Sequence, residues 1–288
     1  MPRTTLGVSM VALVFLGAGA ARAQQYYYPP LPELSFATAQ PADCPQRGFL
    51  FVGTTGNDKL DGSARSDVIS GFGGSDELNG LAANDCLYGD GGNDRLQGGP
   101  GGDRLVGGSG GDVLKGSTGS DRITGAGGDD RASGGAGNER ISAGSGNDRL
   151  DGGVGNDLLD GSAGNDNTSA GFGADTLSGG AGSDRLGGGA GRDRITAGAG
   201  RDRVTGGSGR DRINAGAGDD RVMARDRTRD TVNCGPGRDR VGADRSTGSR
   251  AAARSWSGDR EAALSRSRER PLARTGRAYR ANEARESC

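Results

Sequence analysis

From Gly53 to Met223 the chain repeats every nine residues, nineteen times, without an insertion or deletion. A fixed short period of this kind points to a solenoid: one unit is too small to bury an apolar face alone, and stacked neighbours bury it between them. GDGGNDRLQ (89–97), GGPGGDRLV (98–106), GGVGNDLLD (152–160) and GGAGSDRLG (179–187) show the pattern. The first four positions are rich in glycine, which reaches left-handed φ and lets backbones approach closely, so they read as a turn. The eighth position is aliphatic from Leu60 and Ile69 to Ile213 and Val222, weakened only at Ala132 and Thr168. A short strand over positions seven to nine would send that residue inward. After one inserted residue, Ala224, two weaker units follow as RDRTRDTVN and CGPGRDRVG. Composition closes off the usual alternative. With 59 glycines in 288 residues, 32% hydrophobic and 4% aromatic, the chain lacks the large apolar surface of an ordinary globular core.

The sixth position is acidic in every one of the nineteen units, with Glu139 the only departure from aspartate. Stacking brings these carboxylates close together, where each like pair costs about 1 kcal/mol in water and more when partly desolvated. Such an array closes only if something neutralises it. The candidate metal ligands are Asp58, Asp76, Asp94, Asp103, Asp112, Asp121, Asp130, Asp148, Asp157, Asp166, Asp175, Asp184, Asp193, Asp202, Asp211 and Asp220. Asp67 and Asp85 are set apart, because GSARSD (62–67) and GLAAND (80–85) lack glycine at the fourth position.

In this pattern, GGxGxDxUx with U a large aliphatic residue, residues 53–242 closely resemble the hemolysin-type calcium-binding repeat, the RTX family. The resemblance implies an all-β repeat region: a right-handed parallel β-roll (solenoid) of nine-residue repeats, two per coil, to which composition adds disordered flanks. It also implies calcium ions, several per chain, between successive turns along each edge, held by the Asp carboxylates and turn carbonyls. At about 4.8 Å per coil, nineteen repeats make a roll roughly 45 Å long. The residue chemistry agrees. A hard cation taking six to eight oxygen ligands reverses the repulsion along the column, and calcium suits it better than magnesium, which holds its waters and demands a stricter octahedron. At millimolar concentration each occupied extracellular-type site contributes roughly 1–2 kcal/mol, so the metal decides whether the array folds.

Outside the repeats the chain changes character. Residues 1–23 read as a signal peptide: Arg3, an apolar run from Leu6 to Ala20 and an Ala21-Arg22-Ala23 cleavage site, with no cysteine following as a lipoprotein would need. A retained membrane anchor is the alternative, but the run is short and broken by Gly17 and Gly19, and no other segment is long and apolar enough to insert. The chain is therefore expected to be secreted. Residues 24–52 read as a Pro-rich linker followed by an N-terminal cap, with Phe49, Leu50, Phe51 and Val52 as its first strand. The Arg/Ser/Ala-rich tail, 243–288, reads as disordered. Cys44, Cys86, Cys234 and Cys288 allow three disulfide connectivities; Cys44 with Cys86 and Cys234 with Cys288 is preferred, since it ties each flank to the array.

Charge and residue choice narrow the function. The chain has no histidine, and 36 basic against 37 acidic side chains give a net charge of −1, which argues against overall steering toward nucleic acid or membrane. GGSGG at 107–111 has the form of a serine-hydrolase elbow, yet no histidine exists to activate Ser109, so no enzymatic activity is expected. At position seven, Arg95, Arg104, Arg122, Arg131, Arg140, Arg149, Arg185, Arg194, Arg203, Arg212 and Arg221 would align into outward basic rows. These either balance the aspartates as a solvated face or hold an anionic cell-surface polymer, which makes a calcium-dependent adhesin the alternative reading. Arg192, Arg201 and Arg210, at the fifth position, either shield the neighbouring aspartate and weaken calcium binding or point to solvent, and the second is preferred.

Overall fold

A computed structural model describes Cys44, residues 48–243 and Gly248–Ser249. The segments expected as signal peptide and linker, and the tail beyond those residues, lie outside it. The described residues form strands and turns only, in two parallel sheets: twelve strands in one and eleven in the other, with successive strands alternating between them. Each strand therefore pairs with the next but one in the chain, a coil of eighteen residues later, as in Arg131 with Arg149 or Ile141 with Leu159. This is the expected parallel β-solenoid with two repeats per coil.

Alternation within the strands builds the core. In Arg149–Val154, for example, Arg149 and Asp151 are exposed while Leu150 and Gly152 are buried. The eighth-position residues stack into one continuous column, from Leu60 and Ile69 through Leu150 and Leu159 to Val232 and Val241, all nearly inaccessible to solvent. Burial of such aliphatic side chains stabilises by about 1.5–3 kcal/mol each. Ala132 and Thr168, the two weak members, are buried in line with the rest. Before the first full unit, the strand Leu50–Val52 pairs with Val68–Ser70, and Phe51 continues the apolar column at 6% exposure. Phe49 packs edge-on against it, with ring centroids 6.2 Å apart.

Two details differ from the sequence reading. Most strands run six residues, from position seven through position three of the next unit, as in Arg95–Pro100 and Arg104–Ser109, so the glycine-rich stretch is largely strand. Within the nineteen regular units, left-handed φ is confined to positions two and four. Position two accepts it with side chains in place, at Phe72, Leu81, Asp90 and Ser162. At position four the neighbouring coil also intrudes: Gly155 has φ +148°, and a Cβ built on it would run into the carbonyl oxygen of Gly137.

The inserted residue is also placed differently. Ala224 lies in the strand Arg221–Ala224, fully buried in the first-position place that Ala143, Ala170, Ala197 and Ala215 fill elsewhere. The extra residue instead falls in the following turn, where Arg227 adopts φ +73° and Thr228 is bound by Asp226. From there the register shifts to nineteen, as in Ile213 with Val232 and Val222 with Val241. A turn absorbs an extra residue without moving a buried column; a strand does not. The twelve-stranded sheet ends with Gly248–Ser249 against Thr231–Val232, past the expected boundary at 242.

Cys44 and Cys86 form a disulfide, and Cys44 Sγ lies 3.0 Å from the Tyr88 hydroxyl. Cys234 is also disulfide-bonded. Its expected partner, Cys288, lies outside the described residues.

Candidate metal centre

The sixth position closes each turn, and its side chain folds back beneath the backbone instead of reaching into solvent. Asp76, Asp94, Asp112, Asp130, Asp148, Asp166, Asp184, Asp202 and Asp220 follow one edge; Asp85, Asp103, Asp121, Asp157, Asp175, Asp193 and Asp211 follow the other. All sixteen are no more than 2% exposed.

Along each edge these residues form a ladder. The backbone N–H of one aspartate donates to Oδ1 of the aspartate one coil later, at 2.7 to 3.0 Å, from Asp58 to Asp239 on the first edge. The second ladder starts at Phe49, which donates to Asp67, and ends at Asp230. One oxygen of each carboxylate is thus used to hold the coils in register. The other, Oδ2, is buried without a hydrogen-bond partner in all sixteen. It lies against the first-position residue of its own unit: a Cβ on Gly107 would collide with Asp112 Oδ2, and one on Gly116 with Asp121 Oδ2.

Burial without a partner disfavours the charged form. It raises Asp85 and Asp103 to about 7, and Asp112, Asp130, Asp166 and Asp193 to about 6. In each case the N–H from the previous coil opposes the shift. Asp76, Asp94, Asp121, Asp148, Asp175, Asp184, Asp202, Asp211 and Asp220 move in the same direction for the same reasons.

The ends and one interior site depart from this arrangement. Asp58, a candidate from the sequence, is half-buried, and its Oδ2 accepts from the Thr54 backbone N–H at 2.5 Å and the Thr54 hydroxyl at 2.9 Å. Ser63 serves Asp67 in the same way. Asp85, set apart in the sequence, has the same geometry as its neighbours, because Ala83 adopts φ +83° where glycine was expected. Glu139 breaks the second ladder. Its longer side chain carries the carboxyl toward Gly137, neither oxygen has a hydrogen-bond partner, and burial, followed by Asp157, raises its pKa.

The fifth position supplies a row that the sequence reading missed. Asn84, Asn93, Asn138, Asn147, Asn156 and Asn165 each accept, through Oδ1, the backbone N–H at position five of the next coil, at 2.7 to 3.0 Å. Recurrent asparagine at that position was the available signal. Where arginine replaces it, at Arg192, Arg201 and Arg210, the side chain is exposed as expected; Arg201 Nη2 approaches Asp219 Oδ2 at 3.9 Å.

Among the described residues no three carboxylate, thiolate or imidazole groups converge on one point. Each carboxylate stands one coil from the next, so a cation here must complete its shell with backbone carbonyls. The donor set is all oxygen, with one unpartnered anionic oxygen per turn, and it fits a hard divalent ion of flexible coordination. Residues 52–87, 71–105, 82–114, 106–138, 133–167, 169–195 and 187–222 match the model of a family described as RTX calcium-binding nonapeptide repeat (4 copies). No curated protein matches the chain.

Proposed function

The chain belongs to the RTX calcium-binding nonapeptide repeat family, and from that premise we propose that it is a secreted, non-enzymatic protein whose repeats fold on binding extracellular calcium. The observation that carries this reading is the row of sixteen buried Oδ2 atoms without a partner. A folded chain does not leave that many carboxylate oxygens dry and unpaired unless something else meets them. When bound, calcium supplies the positive charge that these oxygens lack. The aspartates of the two ladders would hold it, while their Oδ1 atoms fix the register of the coils.

Secretion is supported by the N-terminal sequence at 1–23 and by the disulfide of Cys44 with Cys86, a bond that persists in oxidising compartments. An unfolded state at low internal calcium and a folded one outside suit export through the general secretory route. The non-enzymatic reading rests on the absence of histidine from the sequence, which leaves Ser109, the exposed last residue of the strand Arg104–Ser109, with no imidazole to activate it.

Equilibrium dialysis of the purified chain against millimolar calcium, with bound metal measured by atomic absorption, tests the proposal. Several ions per chain are expected, and fewer for the pair Asp112→Asn and Asp130→Asn. A bound ratio below one ion per chain at that concentration would refute it.

A further inference from the structure

On the outer face of the eleven-stranded sheet, Arg185, Arg203, Arg221 and Arg240 occupy one register position in four consecutive strands. All four are exposed, and none forms an ion pair with a described carboxylate. The neighbouring outward positions along the strands are Gly187, Thr205, Met223 and Gly242, none of them acidic; on the turn side the exposed Asp219, which Arg201 approaches, lines a hollow with Arg203, Arg221 and Arg240. Gly187 and Thr205, with Met223 beside them, line a trough of about 510 Å³ along Arg185, Arg203 and Arg221. On the strand of Arg240, the guanidinium of Arg225 lies over Gly242 and adds a fifth cation.

Like charges directly opposite in adjacent strands destabilise a sheet. The row does not serve the buried aspartates, whose Oδ1 atoms are held by backbone N–H groups and whose burial places them beneath the turns. Elsewhere the pattern breaks. On the opposite sheet Arg194 and Arg212 lie between Thr176 and Thr231. The Arg104, Arg122 and Arg140 row runs into Leu158, with Asp160 lining the same hollow.

We propose that the arginine ladder of the last four coils binds a linear acidic polysaccharide, laid along the roll axis with one carboxylate or sulfate per coil. Guanidinium groups repeat here at the inter-strand distance, about 4.8 Å, and each presents a planar fork that matches a carboxylate or sulfate. A linear chain with regularly spaced anions fits that repeat. The four strands of the ladder carry no aromatic side chain on which successive bases could stack, and the adjacent strand offers only Phe172, which disfavours single-stranded nucleic acid. The ladder exists only in the folded roll, so this inference rests on the calcium reading above.

The test measures binding of the full chain, in millimolar calcium, to immobilised polygalacturonate and to heparin, with dextran as the neutral control and oligothymidylate as the nucleic-acid control. Circular dichroism is recorded on the same samples. Arg203→Gln with Arg221→Gln is compared with Arg194→Gln and Arg212→Gln, which remove equal charge from the opposite sheet. The ladder predicts at least a tenfold loss for the first pair, less than twofold for the second, and a salt dependence shallower by about 1–2 in logarithmic slope only for the first. The polyuronate and heparin arms decide which anion is preferred. Equal losses for both pairs, equal binding of oligothymidylate, or no binding by a chain with a full strand spectrum overturns the ladder. A chain that gains no strand with calcium overturns the calcium reading instead, and the ladder with it.

Discussion

One methylene separates aspartate from glutamate, and the edges of this roll are built for the shorter side chain. Asp121 is followed one coil later by Glu139, where the repeating N–H to Oδ1 bond is lost and two carboxyl oxygens are left without partners. Replacing Glu139 with Asp should restore one hydrogen bond, about 1 kcal/mol, and lower the calcium midpoint of folding. A midpoint that rises or stays put in a calcium titration of E139D would contradict this. Position four is the other demanding place. Gly155→Val combines a disfavoured φ with a collision against the Gly137 carbonyl and should cost about 2–4 kcal/mol, whereas Val154→Thr at the adjacent exposed position should leave the melting temperature nearly unchanged. At this scale the acidic column was legible, because a strict period fixes which residues share an environment. Which oxygen is left over was not. That depends on hydrogen bonds across coils, and it separates Asp58 and Asp67, served by Thr54 and Ser63, from Asp85, whose turn tolerates alanine.

Along each edge the aspartates act as a ladder, and its response to pH follows from the direction of their shifts. Burial raises the carboxylates above their usual range, to about 7 at Asp85 and Asp103 and about 6 at Asp112, Asp130, Asp166 and Asp193. Protons therefore bind the folded ladder more tightly than the unfolded chain. Without calcium, that stabilisation is fully present below the unfolded carboxylate pKa, about 4, and is lost as pH rises through about 6 to 7. In a chelator, the chain should melt at higher temperature at pH 4.5 than at pH 8, by circular dichroism. Calcium affinity should fall over the same interval as protons compete for the oxygens. A calcium-free melting temperature that drops on acidification would show that the carboxylates are not buried as described. The strands themselves were only partly visible in the sequence. Alternation at positions seven to nine marked their first half, but the glycine half carries no apolar signal, since it is held by pairing with the coils on either side. For the same reason the extra residue could be counted but not located: only the buried place of Ala224 assigns it to the turn that follows.

The described residues form one stack of coils held chiefly by the aliphatic column, the strand pairing and the edges. Its period was readable from the nine-residue repeat, and its two-fold split into sheets was implied by the resemblance to the RTX family. The N-terminal covalent tie was narrowed but not fixed by counting cysteines, and the structure closes Cys44 onto Cys86 beside the start of the stack. On the proposed reading, two long rows of buried carboxylates are expected to make the calcium-free stack unstable at neutral pH and to place the transition between disordered chain and roll under control of the metal. The most direct test is far-UV circular dichroism of the purified chain at neutral pH, titrated with calcium and, separately, with magnesium. A cooperative gain of strand signal near millimolar calcium, absent with magnesium, is the predicted result. A strand spectrum already complete in chelator, or one unchanged by calcium, would contradict it.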